Sequence, residues 1–264
     1  MLVFSAIVPH PPILLPKVGK ENLKKLAKTQ AAMEELKKRL EAAAPETIII
    51  ISPHGKVLPD AFALNLEPTY NADFEEFGNF ETKKTYQGDL RLAQELQESL
   101  KYVQKFPVAL TSEPKLDHGI SIPLEILTNE MKEFRIIPVY PSSGLDSKMH
   151  FAFGGNLKDV IVNHGKKIAV IASGDLSHRL TQNAPAGFSP KGKEFDDKLI
   201  ELISNKNAAG VVSLSGELVD EAKECGLNSI LILLGLMEKI NFTPEILSYE
   251  GPLGVGYLVA NFKF

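Results

Sequence analysis

The residues TIIIISPHG at positions 47–55 decide the fold class. Their first six residues form a nearly continuous β-branched run that is too short for a helix, and such runs are typical of strands buried on both faces. Upstream, apolar residues recur at helical spacing over residues 21–43, and Leu2–Val8 reads as another strand that two following prolines stop. Strand, long helix and buried strand in this order predict a βαβ unit with parallel strands.

The rest of the chain continues this alternation. Residues 68–88 are the exception, because this aromatic-rich segment shows no regular pattern and is expected to be irregular. Further strands are predicted at 61–66, 106–110, 135–140, 167–173, 246–249 and 255–262, and further helices at 90–102, 120–131, 147–163, 193–205 and 225–239. The pattern predicts an α/β fold in which residues 1–264 form a single domain, with a central, mostly parallel or mixed sheet flanked by helices.

Composition excludes several classes of function. The net charge of −4 over 264 residues offers no basic surface for nucleic acid. No apolar run approaches the ~20 residues of a membrane span, and the amino terminus lacks the basic start of a signal peptide. A single cysteine permits no internal disulfide, so a reducing compartment is expected. We therefore expect a soluble, cytoplasmic protein, and a homo-oligomer is compatible with these features.

Four of the six histidines follow a predicted strand or lie where a loop meets a helix. They are His10 in VPHPP, His54 in SPHG, His118 in LDHG and His178 in SGDLSH. A single histidine in such a place is most often a hydrogen-bonded loop residue. Four of them at strand ends of one parallel sheet would meet at the same edge, where buried imidazoles are costly unless a metal or a substrate uses them.

Proline neighbours hold His10 and His54 on stiff backbone, which suits metal ligands. Imidazole is a common ligand of iron and zinc, but two histidines do not complete a site. The candidates for a third ligand lie in later loops: Asp175, Glu224, Cys225 and Glu250. The sequence shows no phosphate-binding loop, no G-x-S-x-G elbow, no HExxH and no CxxC pair that would indicate a different chemistry.

The ordered motifs VPHPP, IISPHG, LDHG, ASGDLSHRL and ECG resemble those of the class III extradiol ring-cleavage dioxygenases. The resemblance is to the catalytic B-subunit type and its wider superfamily, which includes the Memo-like and AmmeMemoRadiSam proteins. It extends over nearly the whole chain. Each motif is short, so the ordered set points to the superfamily and not to one substrate.

This resemblance implies a non-haem Fe(II) site with two histidines and one carboxylate. His10 and His54 would be metal ligands, and the ECG motif suggests Glu224 as the third, with Cys225 and Glu250 as alternatives. His178 would be the catalytic acid or base, and His118 would contact the substrate or support the ligands. The implied substrates are a small catechol-like aromatic and O2, and the implied reaction is extradiol ring cleavage by an oxidoreductase.

Two other functions remain open at this point. A Memo-like protein would bind metal without cleaving a ring, and in such relatives a cysteine can be a ligand. A zinc- or manganese-dependent hydrolase could use the same histidines. Glu224 is ranked ahead of Cys225 because Fe(II) that meets O2 and a catecholate favours a hard carboxylate, whereas a thiolate suits zinc or Cu(I).

Overall fold

The computed structural model describes residues 1–103 and 107–264, and the side chains of residues 101–103 are outside the description. Within these residues, ten strands form one mixed sheet. They are β1 Leu2–Val8, β2 Thr47–Ile51, β3 Phe62–Asn65, β4 Thr69–Phe74, β5 Asn79–Gly88, β6 Val108–Thr111, β7 Arg135–Tyr140, β8 Ile168–Ser173, β9 Thr243–Glu250 and β10 Tyr257–Lys263.

Helices cover both faces of this sheet. In the described ranges they are α1 Pro16–Gly19, α2 Ala27–Ala43, α3 Leu90–Val103, α4 His118–Leu127, α5 Ser147–Asn163, α6 Pro190–Ser204, α7 Ala208–Val212, α8 Gly216–Ala222 and α9 Leu227–Met237. Short 3-10 turns lie at Pro12–Leu14, Lys20–Leu26 and Glu75–Phe77. In the described part of the chain, no helix combines the length and the apolar character that crossing a membrane requires.

The centre of the sheet is parallel. Strands β7, β2, β8 and β1 lie side by side in this order and run in the same direction, while β10 and β9 extend the sheet antiparallel beyond β1. Strand β8 therefore separates β1 from β2, although helix α2 connects these two along the chain. The carboxyl ends of β1, β8 and β2 consequently open on the same edge of the sheet.

Alternate isoleucines of β2 pack in two separate hydrophobic cores, one on each face of the sheet. Ile49 and Ile51 pack in the core under α3, α5, α6 and α9, whereas Ile48 and Ile50 pack in the core under α2 and α4. All four side chains are fully buried. Burying a side chain of this size contributes roughly 1.5–3 kcal/mol, so this short strand stabilises both layers and fixes the sheet from which the site is built.

The predicted α/β fold with a mixed sheet flanked by helices is confirmed. The bounds of β1, β7 and α5 agree with the sequence prediction, and the strand predicted at 106–110 begins at a residue outside the described part and is observed at Val108–Thr111. The expectation that residues 68–88 are irregular is wrong, because they hold the hairpin of β4 and β5. Its inward side chains alternate along β4, and Gly78 supplies the positive φ of 80° near the turn.

Candidate metal centre

His10 and His54 leave the sheet at the same edge and at nearly the same level. In the parallel register, Val8 at the end of β1 is opposite Ser173 of β8, and Ile51 at the end of β2 is opposite Ala172. Each histidine follows its strand by two or three residues, and a proline precedes it. The two rings therefore reach across the end of β8, and their Nε2 atoms lie 3.0 Å apart.

The His10 ring is buried and held by two contacts with the end of β8. Its Nδ1 atom lies 2.8 Å from Ser173 Oγ, and its backbone amide donates to Asp175 Oδ1 at 3.0 Å. In the tautomer whose Nδ1 donates to the serine, Nε2 carries the lone pair that faces His54. A polar partner that fixes the ring and its tautomer in this way is typical of a metal-ligating histidine.

Helix α4 brings His118 against His54. Its ring stacks on His54 with centroids 4.3 Å apart and an angle of 27° between the planes. This approach requires Gly119, since a Cβ atom there would lie 2.3 Å from Ser52 Oγ. In the part of the chain that the structure describes, His10, His54 and His118 are the group whose ligand atoms all lie within 4.8 Å of one another.

The electrostatics of this group favour neutral imidazoles. Burial lowers the pKa of His10 well below its ordinary value, and the charges of the three other candidate histidines lower it further. His54 is exposed as a residue, yet partial burial of its ring and repulsion by His118 and His178 lower its pKa to about 4. Neutral imidazole is the form that binds a metal, so these rings need not lose a proton near neutral pH to act as ligands.

Cys225 approaches His10 from the loop before α9. Its Sγ atom lies 3.6 Å from His10 Nε2, and the Asp175 amide donates to this sulfur at 3.3 Å. Burial raises the pKa of the Cys225 thiol well above its ordinary value, and nearby Asp175 and Glu224 raise it further. A cation beside the sulfur would favour the thiolate, and its binding would release the proton.

The Glu224 carboxylate is bound to the backbone at the start of α9. Its Oε2 accepts a hydrogen bond of 2.5 Å from the Leu227 amide, so the carboxylate caps the amino terminus of α9. Burial raises the pKa of Glu224 to about 7. The ranking of Glu224 ahead of Cys225 stays a prediction, although the Glu224 carboxylate has a backbone partner and the Cys225 sulfur lies beside His10.

Glu250, the other alternative ligand, is engaged elsewhere. Its Oε1 accepts hydrogen bonds of 2.7 Å from both the amide and the hydroxyl of Thr29, which joins the end of β9 to α2. Asp175 stays at the site, but its carboxylate accepts the His10 amide at 3.0 Å. Burial raises the pKa of Asp175 to about 7. Both acids thus have structural partners, and neither belongs to the histidine group.

His178 borders the site from the loop after β8. Its backbone amide donates to the Ala222 carbonyl at 3.0 Å, and its half-buried ring carries a buried Nδ1 atom that has no hydrogen-bond partner among the residues that the structure describes. Burial lowers the pKa of His178, and hydrogen bonding with the backbone at Lys223 and Leu176 opposes this shift. A charge on His178 contributes to lowering the pKa of both His10 and His54.

Gly174, which follows β8, lies in close contact with Gly226, the residue after Cys225. A Cβ atom at Gly174 would lie 2.1 Å from the Gly226 Cα. We expect Gly174→Ala to lower the free energy of unfolding by about 1–3 kcal/mol, because backbone cannot yield as a side chain does. Urea titration measures this effect. Gly165→Ala is the control, since a Cβ atom there meets nothing within 4 Å; equal losses in both variants would contradict the assignment.

Several residues of the site were given no role by the sequence analysis. Ser173 orients His10, Ser52 Oγ donates to Asp117 Oδ1 at 2.5 Å, and Phe77 meets the His118 ring edge-on at 5.9 Å between centroids. Ser173 was open to prediction, because it ends a buried strand beside the one that delivers His10. Phe77 was not, because it lies in the segment wrongly expected to be irregular.

The chain is similar to several known proteins. A family model described as the catalytic LigB subunit of aromatic ring-opening dioxygenase matches residues 5–260. Protein CA_C1420 of Clostridium acetobutylicum is 34% identical over 260 residues, which are 95% of this chain and 55% of that protein. The 3,4-dihydroxyphenylacetate 2,3-dioxygenase of Escherichia coli is 27% identical over 181 residues, or 64% of each chain.

A third relative and one solved structure extend the picture. The MEMO1 family protein Mbar_A1422 of Methanosarcina barkeri is 27% identical over 138 residues, which are 52% of this chain and 48% of that protein. The crystal structure of the uncharacterized protein JW3007 of Escherichia coli K12 covers 99% of this chain and 100% of its own, with a TM-score of 0.70 and 18% identity. The chain thus spans about half to two thirds of the length of these three curated relatives, and the solved structure supports the fold alone.

Proposed function

This chain belongs to the family of the catalytic LigB subunits of aromatic ring-opening dioxygenases, and we propose that it is a metal-dependent oxidoreductase of the extradiol dioxygenase type, acting on a catechol-like aromatic and O2. The observation that carries the proposal is the meeting of His10, His54 and His118 at the carboxyl edge of the parallel strands. A non-haem Fe(II) held there would supply open coordination positions for the catechol oxygens and O2. Zinc or manganese are the other candidate metals.

Two distances measured from His10 Nε2 resemble those between ligands of one metal, while Cys225 lies outside the group that His10, His54 and His118 form. Two nitrogen ligands at about 2.1 Å from a metal and at a right angle lie about 3.0 Å apart, and a sulfur at about 2.3 Å and tetrahedral to a nitrogen lies about 3.6 Å from it. The corresponding distances here are 3.0 Å from His10 Nε2 to His54 Nε2 and 3.6 Å from His10 Nε2 to Cys225 Sγ. We therefore assign Cys225 as the third ligand in place of Glu224.

His118 is better placed to meet a substrate than to complete the metal shell. Its ring stacks on His54 at 27°, so the in-plane lone pairs of the two rings run side by side and converge poorly on one point. The His10 ring, in contrast, stands at 81° to His54, which lets the two Nε2 atoms meet. His118 thus offers a polar face to a diol oxygen, as the family resemblance implies.

His178 is the proposed acid or base. It follows a different strand from the two ligand histidines, and its buried Nδ1 makes no hydrogen bond of ordinary geometry with the described residues. Its lowered pKa keeps the ring neutral near pH 7 and able to accept a proton from a catechol hydroxyl. The direct test of the function is O2 uptake with simple catechols, followed by ring-cleavage absorbance, by protein reconstituted with Fe(II) under anaerobic conditions.

We expect His178→Ala to keep its metal and to lose turnover by about 10²-fold or more, since an acid or base contributes about this factor. Metal is measured by elemental analysis, and turnover by O2 uptake with catechol. The matched control is His164→Ala, at the carboxyl end of α5, and it should behave as wild type. His150→Asn would be a poor control, because His150 is buried. Loss of metal in His178→Ala would instead make His178 a ligand.

One observation also favours a second function, that of a Memo-like metal-binding protein without ring cleavage. The group beside His10 is a thiol and not the carboxylate implied by the dioxygenase resemblance. A thiolate favours softer metals, and its polarisable sulfur occupies one coordination position of the metal. Stoichiometric metal binding without O2 uptake on any catechol tested would support this function over the dioxygenase.

A further inference from the structure

Asp196 is a fully buried carboxylate that the proposed chemistry leaves unused. It lies on α6, and its oxygens accept hydrogen bonds from two neutral groups. The Ser177 amide donates to Oδ1 at 2.9 Å, and the Tyr249 hydroxyl donates to Oδ2 at 2.6 Å. Burying an acid is costly, so its retention under the loop that carries His178 calls for a physical reason.

Two glycines leave room for this arrangement. A Cβ atom at Gly256 would lie 2.2 Å from Asp196 Oδ2, and a Cβ atom at Gly192 would lie 2.4 Å from Ser177 Oγ. Both the turn before β10 and the first turn of α6 therefore close tightly around the acid and the serine it holds. The cluster is a packed unit in which small displacements of Asp196 reach Ser177 directly.

Ser177 in turn is fixed on every side of its peptide. Its amide donates to Asp196, its carbonyl accepts from the Gly256 amide at 2.8 Å, and its hydroxyl donates to the Ala222 carbonyl at 2.9 Å. The same Ala222 carbonyl accepts the amide of His178, the next residue, at 3.0 Å. The direction in which the His178 side chain leaves the backbone is consequently set by how the Ser177 peptide is oriented.

We propose that Asp196 is the positioning residue of His178, acting through the hydrogen bond from the Ser177 amide. The role requires an acceptor at Oδ1 and does not require the negative charge. Tyr249 supports this role, because its hydroxyl fixes the rotation of the Asp196 carboxylate. This inference rests on the proposed function, in which His178 moves a proton to or from the substrate.

The test compares Asp196→Ala, Asp196→Asn and the control Asp197→Asn. Asp197 is the neighbouring acid, paired on the surface with Lys193. With Fe(II) and catechol, Asp196→Ala should lower kcat at least tenfold, with KM changed less than twofold and metal content retained. Asp196→Asn should recover turnover to within threefold of wild type, because its amide oxygen can still accept from Ser177.

Three outcomes of this comparison would overturn the proposal. Unchanged kcat in Asp196→Ala would remove the role, and loss of metal in that variant would show a general effect on the site. An Asp196→Asn variant as inactive as Asp196→Ala would show that the charge acts, and not the acceptor.

A spectroscopic measurement keeps the proposal testable if wild type turns over no catechol, which would count against the proposed function alone. In zinc-treated protein, the imidazole carbon–proton NMR peak of His178 should shift or split in Asp196→Ala, while the peaks of His150 and His164 stay in place. If Asp196→Ala does not fold, Tyr249→Phe should move the same peak in the same direction. An unmoved His178 peak in the folded variant tested would overturn the proposal.

Discussion

Replacing His10 and His54 together with alanine is expected to lower bound metal from about one equivalent per chain to less than about a tenth, because the two Nε2 atoms 3.0 Å apart form the core of the site. The effect should be the largest of any substitution proposed, since a metal with one or no remaining imidazole loses most of its binding free energy. Elemental analysis of protein purified without added metal measures it, and circular dichroism checks the fold.

His164→Ala is the matched control for this pair. His164 is also a partly buried histidine, but it pairs with Glu95 at 3.2 Å, beyond the carboxyl end of α5. It should retain metal at the wild-type level. A double variant of His10 and His54 that kept a full equivalent would move the site elsewhere in the protein.

Cys225→Ala is expected to weaken metal binding by about 10²-fold or more, whereas Glu224→Ala should change it less than about threefold. The reason is that the sulfur lies 3.6 Å from His10 Nε2 while the carboxylate accepts from the Leu227 amide. Even residues that only support ligands alter affinity by about 10–100-fold, so a ligand should exceed most of them. Competition with a chromogenic chelator measures the affinities.

The two variants should separate in stability as well as in binding. Glu224→Ala removes a helix cap and is expected to cost about 0.5–2 kcal/mol in urea unfolding of the metal-free protein. In cobalt-loaded protein, a thiolate-to-metal absorption band should be present in wild type and in Glu224→Ala, and absent in Cys225→Ala. The reverse ranking of the two variants would return the third position to Glu224 and favour the carboxylate site of the dioxygenase resemblance.

The fold could be predicted from the sequence wherever the pattern of apolar residues fitted only one type of secondary structure. The β-branched run of β2 and the alternation of buried strands with helices predicted the mixed sheet and the edge on which His10 and His54 meet. The segment 68–88 failed because its many aromatic residues obscured an ordinary two-residue alternation. Tyr70 and Phe74 point inward on β4, and this pattern was present in the sequence.

The site could be predicted in part, for reasons that depend on distance along the chain. Parallel strand ends must share an edge, so the convergence of His10 and His54 follows from topology. The choice between Glu224 and Cys225 depends instead on which side chain faces His10 across the contact of Gly174 with Gly226, a detail of packing between distant segments.

Asp196 illustrates a role that no motif records. Its partners, Ser177 and Tyr249, are far from it in sequence, and its position on α6 looks like any polar position on an amphipathic helix. Only its complete burial separates it from the exposed Asp197 beside it. Residues that act through another residue's backbone therefore require coordinates.

The central claim is that the imidazoles of His10 and His54, with the thiol of Cys225, hold a metal at the carboxyl edge of the sheet. A crystal structure of protein purified without added metal, with the element identified by anomalous scattering, tests this most directly. We expect one ion bound by the Nε2 atoms of both histidines, with the Cys225 sulfur about 2.3 Å from it. An ion bound away from these histidines, or one bound by Glu224 with the sulfur turned aside, would contradict it.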